Sequence, residues 1–278
     1  MKRRSLLFYL KRYLKGFVQP QIQVVQVVKQ STSVLEGKTA IVTGATQVVG
    51  QAIVEEYINA GCTVIGVSDD EHKLSEMSKR YETKFKPLFC NLSDYIQVAQ
   101  CLSKATKVNP SIDILVNAAT FKNGQDDRFW DYNEQDFDEA VSVNVKAPFF
   151  LCRSAIDHFL KRKAKGYIVN LIGIKGSIGE GSPYGISKFG LNGMTKGLAR
   201  RFAQNNIIIN GISPGAVADT TKSTVEYLHS DAPNMRMADP NEIANIALFL
   251  VSGMADNMIG SIVTCDGGEM LQYLNNRY

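Results

Sequence analysis

The 278-residue sequence has no apolar run of the roughly 18 residues that a membrane-spanning helix needs. Histidine is scarce. His72, His158 and His229 stand apart, with no two at ligand spacing, so they read as surface or structural residues. The five cysteines, Cys62, Cys90, Cys101, Cys152 and Cys265, are odd in number and lack metal-like spacing. No metal site is expected, and the thiols read as reduced, mostly buried groups of a reducing compartment. The N-terminus lacks acid altogether. Residues 1–35 hold Lys2, Arg3, Arg4, Lys11, Arg12, Lys15 and Lys29 and none of the 27 acidic groups, so the net charge of +4 hides a slightly negative remainder. On charge grounds that remainder is not a nucleic-acid binder.

What is present divides the chain into a basic amphipathic extension, residues 1–35, and a globular domain, residues 36–278. Within 1–17, Leu6, Tyr9, Leu10, Tyr13, Leu14 and Phe17 recur at helical spacing, with most of the basic residues elsewhere around the helix. Such a helix suits an anionic membrane surface. It equally suits docking on the protein's own body or on a sister subunit, and the composition also fits a transit peptide. Lys11 and Arg12 cut the apolar stretch too short for a secretory signal. The expected location is the cytoplasm, with peripheral membrane contact through residues 1–17 as an added possibility. Vesicle co-sedimentation with and without those residues tests that contact.

From Lys38 onward, short apolar strands alternate with amphipathic helices. The pattern predicts strands at 39–43, 62–67, 85–90, 112–116, 166–172, 207–211 and 261–264. It predicts helices at 51–60, 71–81, 94 to about 106, about 134–162, 184–204 and 240–252. This alternation means an α/β fold: a doubly wound, parallel, seven-stranded sheet with helices on both faces. Ligands of such sheets bind beyond the carboxyl ends of the strands, where the strand order reverses.

Two stretches carry chemistry. Thr43-Gly44-Ala45-Thr46-Gln47-Val48-Val49-Gly50 joins the first strand to its helix, and its glycines allow a pyrophosphate to approach a helix N-terminus. Tyr184 and Lys188 are four residues apart, on one helical face. An adjacent ammonium is expected to lower the phenol pKa and so suit Tyr184 to proton transfer at a carbonyl or alcohol oxygen.

At these residues the sequence resembles the short-chain dehydrogenase/reductase family, from about Leu35 to the C-terminus. Its TGxxxGxG turn is matched at Gly44 and Gly50, with Val48 in place of the middle glycine. Asn91-Leu92 matches the pair beside the adenine, and Asn117-Ala118-Ala119-Thr120 matches the NNAG that ends the fourth strand. Asn144 matches the helix-kinking asparagine that holds a water next to the lysine, and Tyr184 and Lys188 match the catalytic pair. Pro214-Gly215 and Asp266-Gly267-Gly268 complete the signature of the common subgroup of roughly 250 residues.

The resemblance implies a nicotinamide-dependent oxidoreductase acting on a small carbonyl or alcohol substrate. Tyr184, Lys188 and Asn144 would be catalytic. Gly44, Thr46, Gln47, Val49, Gly50, Asp69, Asn91, Leu92, Asn117, Ala118, Ala119, Pro214, Gly215 and Val217, with Tyr184 and Lys188, would bind the cofactor. It also implies a homotetramer or homodimer. Ser68-Asp69-Asp70 follows the second strand, and Gln47 replaces the basic residue of many NADP-dependent members, so NAD is expected over NADP.

One departure stands out. The family's serine-bearing NxSS segment is here Asn170-Leu171-Ile172-Gly173, with Gly173 at the catalytic position. Loop residues Ser177 and Ser182 are candidate substitutes, and a Gly173→Ser variant is expected to gain activity. Val48, Thr120 and Gly173 also support a second reading, a silent dinucleotide-binding or scaffolding member of the family. Residues 219–239, which should cover the substrate, mix charged and apolar side chains and do not identify a ligand.

Overall fold

A computed structural model describes residues 33–122 and 129–271; the amphipathic stretch 1–17 lies outside them. Seven parallel strands form one sheet: β1 (Thr39–Thr43), β2 (Thr63–Ser68), β3 (Phe85–Phe89), β4 (Ile114–Asn117), β5 (Gly166–Leu171), β6 (Ile207–Pro214) and β7 (Ile262–Cys265). Their order is β3-β2-β1-β4-β5-β6-β7. The order reverses between β1 and β4, which pair from Ala40 beside Ile114 to Thr43 beside Asn117. A doubly wound sheet opens its ligand crevice at this point. β3 is an edge strand, which is where Pro87, having no N–H to donate, can sit.

The helices are α1 (Val48–Asn59), α2 (Glu71–Tyr81), α3 (Tyr95–Val108), α4 (Glu134–Val141), α5 (Ala147–Arg162), α6 (Lys175–Ile178), α7 (Pro183–Phe202) and α8 (Pro240–Val251). Side chains alternate along each strand, so the sheet feeds two cores. Ala40, Val42 and Val116 join Ile53, Val54 and Tyr57 of α1 and Ile243, Ala247 and Leu250 of α8 on one face. Ile41, Leu115 and Ile168 join Val98 of α3, Leu151 and Phe159 of α5 and Ala199 of α7 on the other. Fully burying a side chain such as Phe159 contributes roughly 1.5–3 kcal/mol. The buried Tyr57 hydroxyl donates to the Ala247 carbonyl at 3.0 Å, which ties α1 to α8 without stranding a polar group.

The predicted helix at about 134–162 is two helices. One π turn, Ser142–Lys146, separates α4 from α5. Pro148 has no N–H to offer the Asn144 carbonyl four residues earlier, so a regular α ladder cannot run through this point. Two smaller departures are α6, absent from the predicted pattern, and β6, which runs to Pro214 rather than ending at Gly211.

Candidate active site

The turn after β1 is built on two glycines with different duties. Gly44 has φ +63°, and a Cβ on it would meet the Ala119 Cα at 2.6 Å, so turn and β4 end lie in direct contact. A Cβ on Gly50 would meet the Gly44 carbonyl oxygen at 2.0 Å, so only glycine lets α1 pack this closely on the turn. Thr43 Oγ1 accepts the Ala118 and Ala119 N–H groups at 3.2 and 3.3 Å and closes the seam. The N-cap residue of α1, Gln47, makes no side-chain cap, and the first turn carries no acid. The leading N–H groups of α1 are therefore left to an anionic ligand.

A cavity of about 640 Å³ opens at this crevice. Gly44, Thr46, Gln47 and Val48 line it from the turn, and Ala119, Thr120 and Phe121 from the end of β4. Ser68, Asp69, Asp70 and Lys73 close the β2 side, and Cys90, Asn91, Leu92 and Ser93 the β3 side. The volume and the uncapped helix end fit a nucleotide.

Of the predicted cofactor residues, Gly44, Thr46, Gln47, Asp69, Asn91, Leu92 and Ala119 line this cavity. Gly50 stands behind the turn, and Val49 packs on the core. Asn117 is buried and donates to Asn170 Oδ1 at 2.8 Å, and the Ala118 N–H is held by Thr43. Pro214, Gly215 and Val217 lie at the end of β6. There the Pro214 carbonyl accepts from the Ile174 N–H at 2.8 Å, and Val217 bridges to Ala238.

Sequence reasoning did not single out Lys73, Cys90, Ser93, Phe121, Glu139 and Val143 as site residues, although they also line the cavity. Asp70, read with Asp69 as an acid selecting the cofactor, and Asp219 and Thr221, from the segment expected to cover the site, line it as well. Lys73 was findable, since it lies in the first turn of α2, three residues after Asp70, which it meets at 3.6 Å. The residues that follow each strand end were equally open to the rule that placed Asp69.

Ser182 caps α7 by accepting the Gly185 N–H at 3.0 Å, and Pro183 follows at the first helical position. This start fixes the half-buried Tyr184 and the fully buried Lys188 on one face, with the ammonium 5.8 Å from the tyrosine ring centre. Lys188 Nζ donates to the Leu171 carbonyl at 2.8 Å and to Thr120 Oγ1 at 3.0 Å.

The expected lowering of the tyrosine pKa is not what this environment produces. Burial, and secondarily the Glu180 carboxylate, push the Tyr184 phenol up to about 12. Burial pulls the Lys188 ammonium down to about 7. A desolvated cation weakens its own charge before it can stabilise a phenolate.

Asn144 lies wholly buried in the π turn. Its amide donates to the Phe121 carbonyl at 2.9 Å and to Ser187 Oγ at 3.0 Å, and accepts the Phe121 N–H at 2.9 Å. The side chain is thus committed. What this residue can offer a water is its main-chain carbonyl, deprived of a regular partner by Pro148.

Gly173 is not merely a serine without its side chain. Its φ is +78°, and a Cβ there would lie 3.0 Å from the Tyr184 hydroxyl. Neither loop serine takes over the missing donor. Ser177 is paired with Ser213 at 2.9 Å, and Ser182 caps the helix while donating to Glu180 at 2.8 Å.

The segment over the site is pinned by Arg236 to Glu242, both contacts at 2.7 Å, by Tyr227 to Asp239 at 2.9 Å and by His229 to Glu269 at 3.4 Å. Among the described residues no cluster of His, Cys, Asp or Glu could hold a metal, and no helix is long and apolar enough to cross a membrane.

Residues 44–269 match the family described as enoyl-(acyl carrier protein) reductase. The chain is 33% identical over 245 residues to the 3alpha-hydroxysteroid dehydrogenase of Mediterraneibacter gnavus, covering 84% of this chain and 97% of that protein. It is 31% identical over 246 residues to the 3-oxoacyl-(acyl-carrier-protein) reductase FabG of Aquifex aeolicus, covering 84% and 98%. A crystal structure from Sinorhizobium meliloti, assigned to the short-chain alcohol dehydrogenases, superposes with a TM-score of 0.77 at 30% identity, covering 85% of this chain and 98% of that one.

Proposed function

The chain belongs to the short-chain dehydrogenase/reductase family, a family of oxidoreductases, and from that membership we propose that it interconverts a carbonyl and an alcohol with Tyr184 as the proton-transfer group. The observation that carries this reading is the convergence of Tyr184, Lys188 and Asn144 beside a nucleotide-sized crevice. When bound, the nicotinamide supplies or accepts the hydride. In the reducing direction the neutral phenol of Tyr184 gives its proton to the carbonyl oxygen as the carbonyl carbon gains the hydride, leaving an alcohol. A phenol with its pKa near 12 is in the donor form throughout the neutral range. With the cofactor bound, Lys188 would anchor its ribose hydroxyls, and the Asn144 carbonyl would hold a water that returns a proton to the site. A panel of aldehydes, ketones and 3-oxoacyl thioesters, each read by consumption of reduced cofactor, tests the reading. Its failure with every substrate, while cofactor still binds, supports the silent dinucleotide-binding alternative.

The cofactor proposed is NAD(H). Asp69 is exposed at the β2 end of the cavity and Asp70 lies beside it. An acid at this place accepts from an adenine-ribose hydroxyl and repels a phosphate on the same oxygen. Lys73, the one base among the described residues that line the cavity, stands 3.6 Å from Asp70 and is offset by it. Calorimetry should give tighter binding of NADH than of NADPH, and the opposite order rejects this assignment.

Assembly through α5 and α7 is proposed on their surface chemistry. Phe149 on α5 and Ile186 and Phe189 on α7 are all exposed in the single chain. Light scattering should find a dimer or tetramer; a concentration-independent monomer rejects it.

A further inference from the structure

Thr120 and Phe121 form a hub that the proposed chemistry does not by itself require. Two side-chain amides grip these consecutive residues by their backbones. Gln47 Oε1 accepts the Thr120 N–H at 3.1 Å, and Gln47 Nε2 donates to the Thr120 carbonyl at 3.0 Å. Asn144 does the same to Phe121, with both contacts at 2.9 Å. The Thr120 side chain is then placed by groups on either side of it, and its hydroxyl accepts from Lys188 Nζ at 3.0 Å.

We propose that Thr120 is a positioning residue for the Lys188 ammonium: its hydroxyl, set in place by Gln47, holds the ammonium charged and aimed into the site. The inference rests on the oxidoreductase reading for its purpose but not for its physics. Lys188 is 1% exposed, so water contributes little to its solvation. Only the Leu171 carbonyl and the Thr120 hydroxyl are within hydrogen-bond reach of Nζ among the described residues.

The charged groups nearby do not replace them. Glu180 acts on Tyr184, pairs with Lys175 at 3.8 Å and accepts from Ser182 at 2.8 Å. Lys122 stands 5.9 Å from the Tyr184 ring centre and is a like charge. The neutral Tyr184 ring, 5.8 Å away, is the remaining neighbour. A glycine at position 120, as in the family pattern, would leave the ammonium with the Leu171 carbonyl alone. With two of its three N–H groups fixed, Lys188 keeps one for a ribose hydroxyl.

The test is an NMR titration of the Lys188 ammonium in the full chain carrying isotope-labelled lysine, with the signal assigned through Lys188→Arg. Thr120→Val keeps the shape and removes the acceptor. Loss of a hydrogen bond to a charged group should lower the Lys188 midpoint by about one unit. Thr120→Ser should restore it. If Thr120→Val does not fold, Thr120→Ala removes the same oxygen with less bulk and is expected to give the same shift. A midpoint unmoved by loss of the hydroxyl, or a serine variant that titrates like the valine variant, overturns the proposal. The titration needs neither substrate nor cofactor. A chain that shifts as expected but turns nothing over rejects the oxidoreductase reading alone; a chain that turns over with an unmoved midpoint rejects the role of Thr120 alone.

Discussion

Replacing Tyr184 with phenylalanine is expected to lower kcat for carbonyl reduction by about 10²–10⁴, the usual contribution of a positioned general acid. The ring stays in place, so the fold and the packing against Lys188 should persist. None of the residues that line the nucleotide cavity is altered, so NADH should still bind. Steady-state kinetics beside calorimetry separates the two. A variant that keeps wild-type kcat removes Tyr184 from the mechanism. The raised phenol pKa adds a direction. Reduction uses the protonated form and oxidation the phenolate, so in the free enzyme alcohol oxidation should accelerate as pH rises toward about 12.

The second large effect is expected at Gly173, and the geometry reverses the gain expected from the sequence. A serine there must adopt φ near +78°, which costs a side-chain-bearing residue about 1–2 kcal/mol. Its Cβ would also press on the Tyr184 hydroxyl at 3.0 Å and move the proton donor. Gly173→Ser should therefore lose roughly tenfold or more in kcat/KM, as a misplaced catalytic group does. Its Tm should fall by about 2–8 °C. Gly173→Ala, with the same strain and no hydroxyl, should lose at least as much. A serine variant more active than the wild type would show that the backbone relaxes at little cost and that a missing donor was the limitation.

The sheet was legible because each strand is a short apolar run between turns, and parallel strands buried on both faces show that pattern directly. The crevice was legible for the same reason: Gly44, Thr46, Gln47, Asp69 and Asn91 follow strand ends, and the topology brings strand ends together. The interruption at Ser142–Lys146 was harder to read. Apolar residues keep helical spacing through it, and Pro148 is also acceptable in the first turn of a helix, so only the resemblance, which makes Asn144 a helix-kinking asparagine, marked the place. The electrostatics of Tyr184 and Lys188 were out of reach. Spacing shows that two groups meet, whereas burial decides which of them keeps its charge. The backbone angle of Gly173 was likewise hidden, since a glycine in a loop permits a positive φ without requiring it.

The central claim is hydride transfer at a site where Tyr184 supplies the proton. The most direct measurement incubates the full chain with NADH deuterated at the transferring carbon and a panel of carbonyl compounds, then analyses the products by mass spectrometry. The account predicts an alcohol carrying deuterium on its carbinol carbon, formed by the wild type and nearly absent with Tyr184→Phe. Bound NADH with no labelled alcohol from any member of the panel would contradict it.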